Sequence, residues 1–175
     1  MVKGKRHIPS RNTQGVVTFS LKVNGLPINK AVSVLNLCID REVNRIATAH
    51  ITLRDGTPSK EDFEVSSGGF FVPGNEVEIL AGYATNENTI FKGMVIKHAI
   101  YLEKCGHTAL EIVLKDKAVG LCLGRKNAIF EEAKDSEVIE EIAEAKGLEV
   151  DIEATQLKHE QLVQYQASDW DFIIC

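Results

Sequence analysis

Asp169 and Asp171 are the two side chains whose type and spacing come nearest to an acid–base pair. Such chemistry needs two carboxyl groups that reach the same reacting atoms. Residues two apart on a helix point in different directions, so this pair is poorly placed for it. We interpret both acids as helix-start residues, which the positive end of a helix dipole favours, with Ser168 as the N-cap.

Histidines and cysteines offer no alternative site. The five histidines lack metal-ligand spacing, since two fall on predicted strands (His50, His98) and three in predicted loops or ends (His7, His107, His159). The four cysteines form no C-x-x-C pair, and Cys38 and Cys122 are predicted to be small apolar core residues. P-loop, zincin, nucleophile-elbow and dinucleotide motifs do not occur. We therefore predict no catalytic, metal or cofactor-binding residue, and a protein that is not an enzyme.

Charge and hydropathy narrow the classes of partner. Acidic residues outnumber basic ones 25 to 20, a net charge of -5, which argues against nucleic acid. No apolar run approaches the ~20 residues of a membrane span. The first residues are basic without an apolar stretch behind them, so we expect no signal peptide. Residues 1–14 lack periodicity and are predicted to be a flexible arm.

The first part of the chain, which must position these residues, is predicted to consist of strands. Segments with a period of two are separated by short turns, without a helical pattern between them. They are Val16–Val23, Val32–Arg41, Ala47–Arg54, Glu76–Tyr83, Ile90–Leu102 and Thr108–Lys115. Within the second, Leu35, Leu37 and Ile39 are expected on one face. The polar stretch Asp55–Ser67 is predicted to be a loop. Residues 15–115 thus predict a sandwich or barrel of antiparallel strands.

Helical periodicity appears only in residues 116–175. A helix is predicted over Ser136–Lys146, with Ser136 as N-terminal cap and Gly147 in the left-handed position after its end. Glu149–Ile152 and Leu162–Gln166 are strand candidates, and a second helix opens at Ser168. The sequence ends in apolar residues at Cys175, barely one turn into that second helix. We therefore expect that the sequence is a fragment of a longer protein, truncated within a second unit.

The last fifth of the chain carries a motif. Gln164, Tyr165, Ser168, Asp169 and Phe172 form Q-Y-x-x-S-D-x-x-F after the predicted helix and its glycine. This arrangement resembles the VgrG family of type VI secretion spikes and the related late control protein D of phage tails, over their amino-terminal part. Val43–Leu53 is similar to the first hairpin of that family, and Phe91–Val95 to its F-x-G-x-V strand.

The resemblance implies a mainly β protein with a minor α/β part, a first hub barrel followed by the start of a second unit. It also implies a homotrimeric hub at the tip of a hexameric tube protein (Hcp-like), next to baseplate proteins and effectors. Such a protein is made in the bacterial cytoplasm and exported by the contractile machine. The same residues would support a phage or prophage tail hub equally well, so that alternative stays open. The competing class is a ligand-binding barrel or an enzyme.

Two surfaces are candidates for contact with partners. Phe70, Phe71 and Val72 form an apolar patch before a turn, and we predict that they take part in subunit or tube contacts. Glu131, Glu132 and the glutamates of the predicted helix form either a solvated face or a surface that meets a partner. A ligand barrel should enclose a cavity with converging polar groups, whereas the interior of a hub barrel should be filled by side chains.

Overall fold

The computed structural model describes residues 17–28, 32–56, 62–83, 86–102 and 108–175. The predicted arm at residues 1–14 lies outside these ranges, as do His7, Cys105 and His107. In the described part of the chain, no helix is both long enough and apolar enough to cross a membrane.

Seven antiparallel strands form one sheet. They are β1 (Val17–Val23), β2 (Leu26–Pro27), β3 (Val34–Asp40), β4 (Thr48–Arg54), β5 (Glu76–Tyr83), β6 (Asn86–Leu102) and β7 (Thr108–Lys115), in the order β2-β1-β5-β6-β7-β4-β3. The predicted mainly β class with a minor α/β part is confirmed. Among the described residues β2 and β3 remain sheet edges, so the hydrogen-bonded ladder is not closed into a ring.

The period of two in the sequence places one side of each strand in a common core. Ile51, Leu53, Ile112 and Leu114 are fully buried there. Burying an aliphatic side chain of this size stabilises a fold by about 1.5–3 kcal/mol. The F-x-G-x-V stretch lies on β6, with Phe91 and Val95 pointing inward. The sheet is therefore held by the alternation that the sequence displays.

A second cluster of elements follows β7. It contains a 3₁₀ helix (Lys117–Cys122), β8 (Lys126–Lys134), α2 (Asp135–Glu144), β9 (Lys158–Ala167) and α3 (Asp169–Ile174), while α1 (Glu64–Ser67) lies earlier, between β4 and β5. Strands β8 and β9 pair as an antiparallel two-stranded sheet. Leu121, Val138 and Ile142 are buried against its inner face, where Phe130 stacks on Phe172 with ring centroids 5.9 Å apart. The division of the chain at residues 115/116 stays a prediction.

Some sequence-based expectations are wrong. Glu149–Ile152 is not a strand, and β8 was not predicted. Leu35 is exposed because a register shift between Val34 and Asn36 turns it away from the core face that Leu37 and Ile39 share. Cys38 and Cys122 are exposed free thiols rather than core residues. α1 begins inside the stretch that was expected to be a loop.

Candidate functional site

The motif at residues 164–172 builds a buried polar cluster where β9 meets α3. Gln164 and Asp169 are each 2% exposed. The Nε2 of Gln164 donates to Asp169 Oδ1 and to the carbonyl oxygen of Ala167, both at 3.1 Å. Lys126, at the start of β8, donates from Nζ to Asp169 Oδ2 at 2.8 Å. One carboxylate thus joins the start of α3 to both strands of the β8–β9 sheet.

Burial acts to raise the pKa of Asp169, but the hydrogen bonds from Lys126 and Gln164, with the positive charges of Lys126 and Lys146, hold that pKa below its ordinary value. The carboxylate therefore stays ionised at neutral pH. An ionised, fully coordinated carboxylate acts as a structural acceptor rather than as an acid.

The other motif residues divide into two groups. Ser168 is the N-cap of α3, and its Oγ accepts from the backbone N–H of Asp171 at 3.1 Å, which confirms the predicted cap. Phe172 stacks on Phe130 inside the second cluster. Tyr165 differs from both, because its side chain is 77% exposed on the outer face of β9. Four of the five residues therefore have internal partners, and one faces solvent.

The two predicted helix-cap residues behave differently. α2 begins one residue before Ser136, so Ser136 is not its N-cap; Lys134 holds that position, and its backbone N–H donates to Glu137 Oε2 at 3.1 Å. The buried Ser136 hydroxyl instead accepts from the backbone N–H of Thr155 at 3.2 Å. Gly147 has φ +64°, with hydrogen bonds from its own N–H and from the next N–H closing the helix end.

The apolar patch before β5 does not act as one surface. Phe71 is 1% exposed and belongs to the core, whereas Phe70 and Val72 are 47% and 49% exposed. The carbonyl oxygen of Phe71 lies 2.9 Å from Nδ1 of His98, which sets this segment beside the second half of β6. Contact with a partner stays a prediction for Phe70 and Val72, while the core position of Phe71 removes it from such a surface.

Sequence reasoning missed a second buried carboxylate, Asp55, directly after β4. Its Oδ1 accepts from the backbone N–H groups of Gly56 at 2.8 Å and Val65 at 3.1 Å, and Oδ2 accepts from that of Ser66 at 2.8 Å. Burial acts to raise the pKa of Asp55, yet the hydrogen bonds from Ser66, Val65 and Gly56 hold that pKa below its ordinary value. An Asp-Gly pair after a strand was the signal that could have indicated it.

We expect the Asp55→Asn variant to lose about 1–3 kcal/mol of unfolding free energy at pH 7. The substitution replaces one carboxylate oxygen, which accepts hydrogen bonds, with an amide NH₂ group, which donates them and would face backbone N–H donors. A lowered folded-state pKa contributes stability above the unfolded value of about 3.9, and that stability is lost as pH falls through the folded-state pKa. The difference between wild type and variant should therefore shrink on acidification. Urea unfolding followed by circular dichroism from pH 2 to pH 7 measures it. An equal difference at every pH would contradict the assignment.

In the described part of the chain, no group of three or more His, Cys, Asp or Glu side chains has the geometry to hold a metal ion. Two open grooves lie at the surface. One, of about 370 Å³, runs between the sheet and the end of α2, beside Gly93, Lys117 and Gly147. The other, of about 670 Å³, follows β1 and residues Ile28, Val32 and Val34.

Comparison with known families decides the classification. The model of the Alg8 N-terminal domain matches residues 13–175, nearly the whole chain. The chain belongs to the Alg8 N-terminal domain family. No curated protein matches it in sequence.

Solved structures resemble this chain in fold. The E. coli c3393 protein, described as a type VI secretion component similar to the T4 phage tail proteins gp27 and gp5, matches 87% of the chain with TM-score 0.61 and 16% identity. The 43 kDa tail protein of prophage MuSo2 from Shewanella oneidensis matches 89% with TM-score 0.63 and 11% identity. A tail protein from Neisseria meningitidis matches 90% with TM-score 0.57 and 11% identity.

The chain spans less than half of the length of these structures, covering 41%, 47% and 43% of them. At such low identity the likeness establishes the fold alone. The fold is that of phage tail and type VI secretion proteins, which agrees with the resemblance at residues 164–172.

Proposed function

We propose that this chain is a structural component of a contractile injection machine, the amino-terminal part of a hub at the tube tip. In the full-length protein the hub is a homotrimer that links a hexameric tube protein (Hcp-like) to a membrane-piercing spike, as VgrG proteins do. The observation that carries the proposal is the fold shared over 87–90% of the chain with a type VI secretion component and phage tail proteins. The Q-Y-x-x-S-D-x-x-F motif supports it independently.

The proposed work is mechanical, and the protein is not an enzyme. Support comes from the interior of the sheet, where Phe71, Phe91, Ile79 and Leu110 fill the space that a ligand barrel would leave open. Asp55 and Asp169, the two buried carboxylates among the described residues, accept hydrogen bonds from backbone and side-chain donors. A filled interior with satisfied buried carboxylates suits a protein that must transmit force.

Symmetry explains why a trimer would serve. In the proposed hub each subunit offers two similar units, so three subunits present six positions to a six-fold tube. Baseplate proteins and effectors are further proposed partners, and nucleic acid is not. The protein would be made in the bacterial cytoplasm and exported by the machine itself.

A baseplate hub of a phage or prophage, of the late control protein D type, is the second candidate. The MuSo2 prophage tail protein favours it, since it has the same fold at a TM-score of 0.63. The two candidates share their architecture and differ in what the machine delivers.

The deciding measurement is tube protein in the culture medium of the source cell, with and without the gene, with lysis controlled. Loss on deletion, restored by the full-length gene, is expected for a secretion spike. Phage-like particles without tails, with tube protein unchanged, would point to the prophage hub. No effect on either would contradict the injection-machine proposal.

Phe70 and Val72 provide a finer test of partner contact. Replacing both with aspartate should leave the fold intact, since both side chains are about half exposed and lie outside the buried core, but should reduce export of tube protein at least tenfold because charge enters an apolar contact. Val43→Asp is the matched control, at an apolar position that is 91% exposed. Equal export from the double variant and the control would remove Phe70 and Val72 from the proposed interface.

A further inference from the structure

Asn24 and Gly25 form the two-residue turn between β1 and β2, and they are the single Asn–Gly pair in the sequence. Both residues are exposed and both have positive φ, +49° and +79°. An asparagine amide that precedes a glycine is open to intramolecular attack, because glycine has no side chain to shield its backbone nitrogen. A Cβ atom built on Gly25 would meet nothing within 4 Å, so the fold does not crowd this position either.

The hydrogen bonds around this turn leave the nitrogen nucleophile free and polarise the amide that it would attack. Among the described residues, the N–H of Gly25 donates to no acceptor. The side-chain oxygen Oδ1 of Asn24 accepts from the backbone N–H of Glu76 at 3.0 Å. A donor at that oxygen stabilises the negative charge that develops there when the amide carbon is attacked. The turn therefore combines a free nucleophile with an activated carbonyl group.

Ring closure also requires rotation about the Cα–C bond of Asn24, and β2 offers little resistance to it. β2 is two residues long, and its register joins Pro27 to Lys22 and Leu26 to Val23. Leu26 is 71% exposed, and β2 contributes no buried side chain. Segments with few buried contacts open locally at a small cost in free energy. The turn can thus reach the reactive geometry without unfolding of the core.

We propose that Asn24 is a site of spontaneous deamidation, at which the turn is converted to aspartate and isoaspartate. The Gly25 nitrogen loses its proton to hydroxide and forms a bond to Cγ of Asn24. The bond from Cγ to Nδ2 breaks, and ammonia leaves after taking a proton from water. A second water molecule opens the resulting cyclic imide at either of its two carbonyl carbons, so that one opening gives aspartate and the other isoaspartate. The site does not depend on the proposed function.

The isoaspartate product changes an edge of the sheet. Its main chain runs through Cγ, which adds one methylene group between Val23 and Leu26, so a two-residue turn no longer matches the register of the two strands. Release of β2 uncovers the backbone groups of β1 at Lys22 and Val23. Unpaired strand edges are sites of association between chains. Deamidation therefore lengthens the open edge of β1 as the protein ages.

Asn44 is the matched internal control. It is exposed and has φ +57°, so its backbone resembles that of Asn24. It is followed by Arg45 rather than glycine, and the N–H of Arg45 donates to the carbonyl oxygen of Glu42 at 3.3 Å. Asn44 thus lacks both features that make Asn24 reactive, the unshielded nitrogen and the free N–H.

The test follows both sites in the folded wild-type chain during incubation at mildly alkaline pH. Trypsin releases Asn24 in peptide 23–30 and Asn44 in peptide 42–45, and fragment ions in the mass spectrometer locate the conversion. Asn24 should convert at least about tenfold faster than Asn44, with isoaspartate among its products. If Asn24 stays intact, or gives aspartate without isoaspartate, the proposed route is wrong.

Arg45→Gly separates the geometry of the turn from the Asn–Gly pair itself. The variant creates a second such pair, whose glycine N–H keeps the Glu42 carbonyl oxygen as its acceptor; circular dichroism checks that it folds. Asn44 in this variant should convert at least about threefold more slowly than Asn24 of the same molecule, because its nucleophile is engaged in a hydrogen bond. Equal rates would contradict a role for the hydrogen bonds of the turn. Reaction of Asn24 in urea but not in the folded chain would show that the turn protects it, which overturns the proposal.

Discussion

Asp169→Ala is expected to lower the free energy of unfolding by about 2–4 kcal/mol. Removal of the carboxylate leaves the buried amide of Gln164 with the Ala167 carbonyl oxygen but without its second acceptor, and separates Lys126 from its partner. The loss of the Gln164 bond should dominate, because the side chain of Lys126 is 47% exposed and can be solvated. Urea unfolding followed by the fluorescence of Trp170, the single tryptophan, reports directly on this region.

Two comparisons separate the cluster from a general effect of lost charge. Asp151→Ala, at an exposed position, should change stability by less than about 0.5 kcal/mol. Gln164→Ala combined with Asp169→Ala should cost less than the sum of the single changes, because both remove the same bond. Strictly additive losses would mean that the 3.1 Å contact between these side chains contributes nothing.

The second large effect is expected at Gly93. A Cβ atom there would lie 2.5 Å from the carbonyl oxygen of Lys115 and 2.7 Å from the ring of Phe91. The ring belongs to a buried side chain and the oxygen to the backbone of β7, so neither moves away easily. Gly93→Ala should therefore destabilise the sheet by about 1–3 kcal/mol.

Gly120→Ala is the matched control, because a Cβ there meets nothing within 4 Å. It should be neutral or raise stability by a few tenths of a kcal/mol, through the lower entropy of the unfolded chain. Chemical denaturation of both variants, followed by circular dichroism, gives the comparison. If the Gly93→Ala variant is as stable as the Gly120→Ala variant, close packing against Lys115 and Phe91 is not the reason for glycine at position 93.

The sequence predicts the strands best where one side faces a continuous core. β5 and β7 were expected with their observed bounds, because a buried apolar residue recurs at every second position, at Val77 and Ile79 in β5 and at Leu110, Ile112 and Leu114 in β7. β8 was missed because two adjacent glutamates, Glu131 and Glu132, follow Phe130. The positive φ of Glu132 also interrupts the alternation of inward-facing and outward-facing side chains along the strand. Leu35 was misassigned for a related reason, because a register shift cannot be read from a period of two.

The candidate site was predicted in part. The sequence identified Ser168 as a cap and Q-Y-x-x-S-D-x-x-F as a motif, because capping depends on local chain geometry. It could not indicate that Lys126, 43 residues from Asp169, completes the cluster. Nor could it separate the buried Phe71 from its exposed neighbours, because three consecutive apolar residues have no period.

Strand order has a consequence for how the chain reaches this fold. β5, β6 and β7 are neighbours in sequence and in space, and so are β3 and β4, whereas β1 must find β5 and β4 must find β7 across long intervening segments. Closing such long loops costs chain entropy before any contact repays it, so sheets of this kind fold in milliseconds to seconds. The β5–β6–β7 meander should assemble early and act as the template, with β1 and β4 joining its two sides last. Newly made chains would therefore pass through a state with two unpaired edges, and the time spent there sets how readily they aggregate before the sheet is complete.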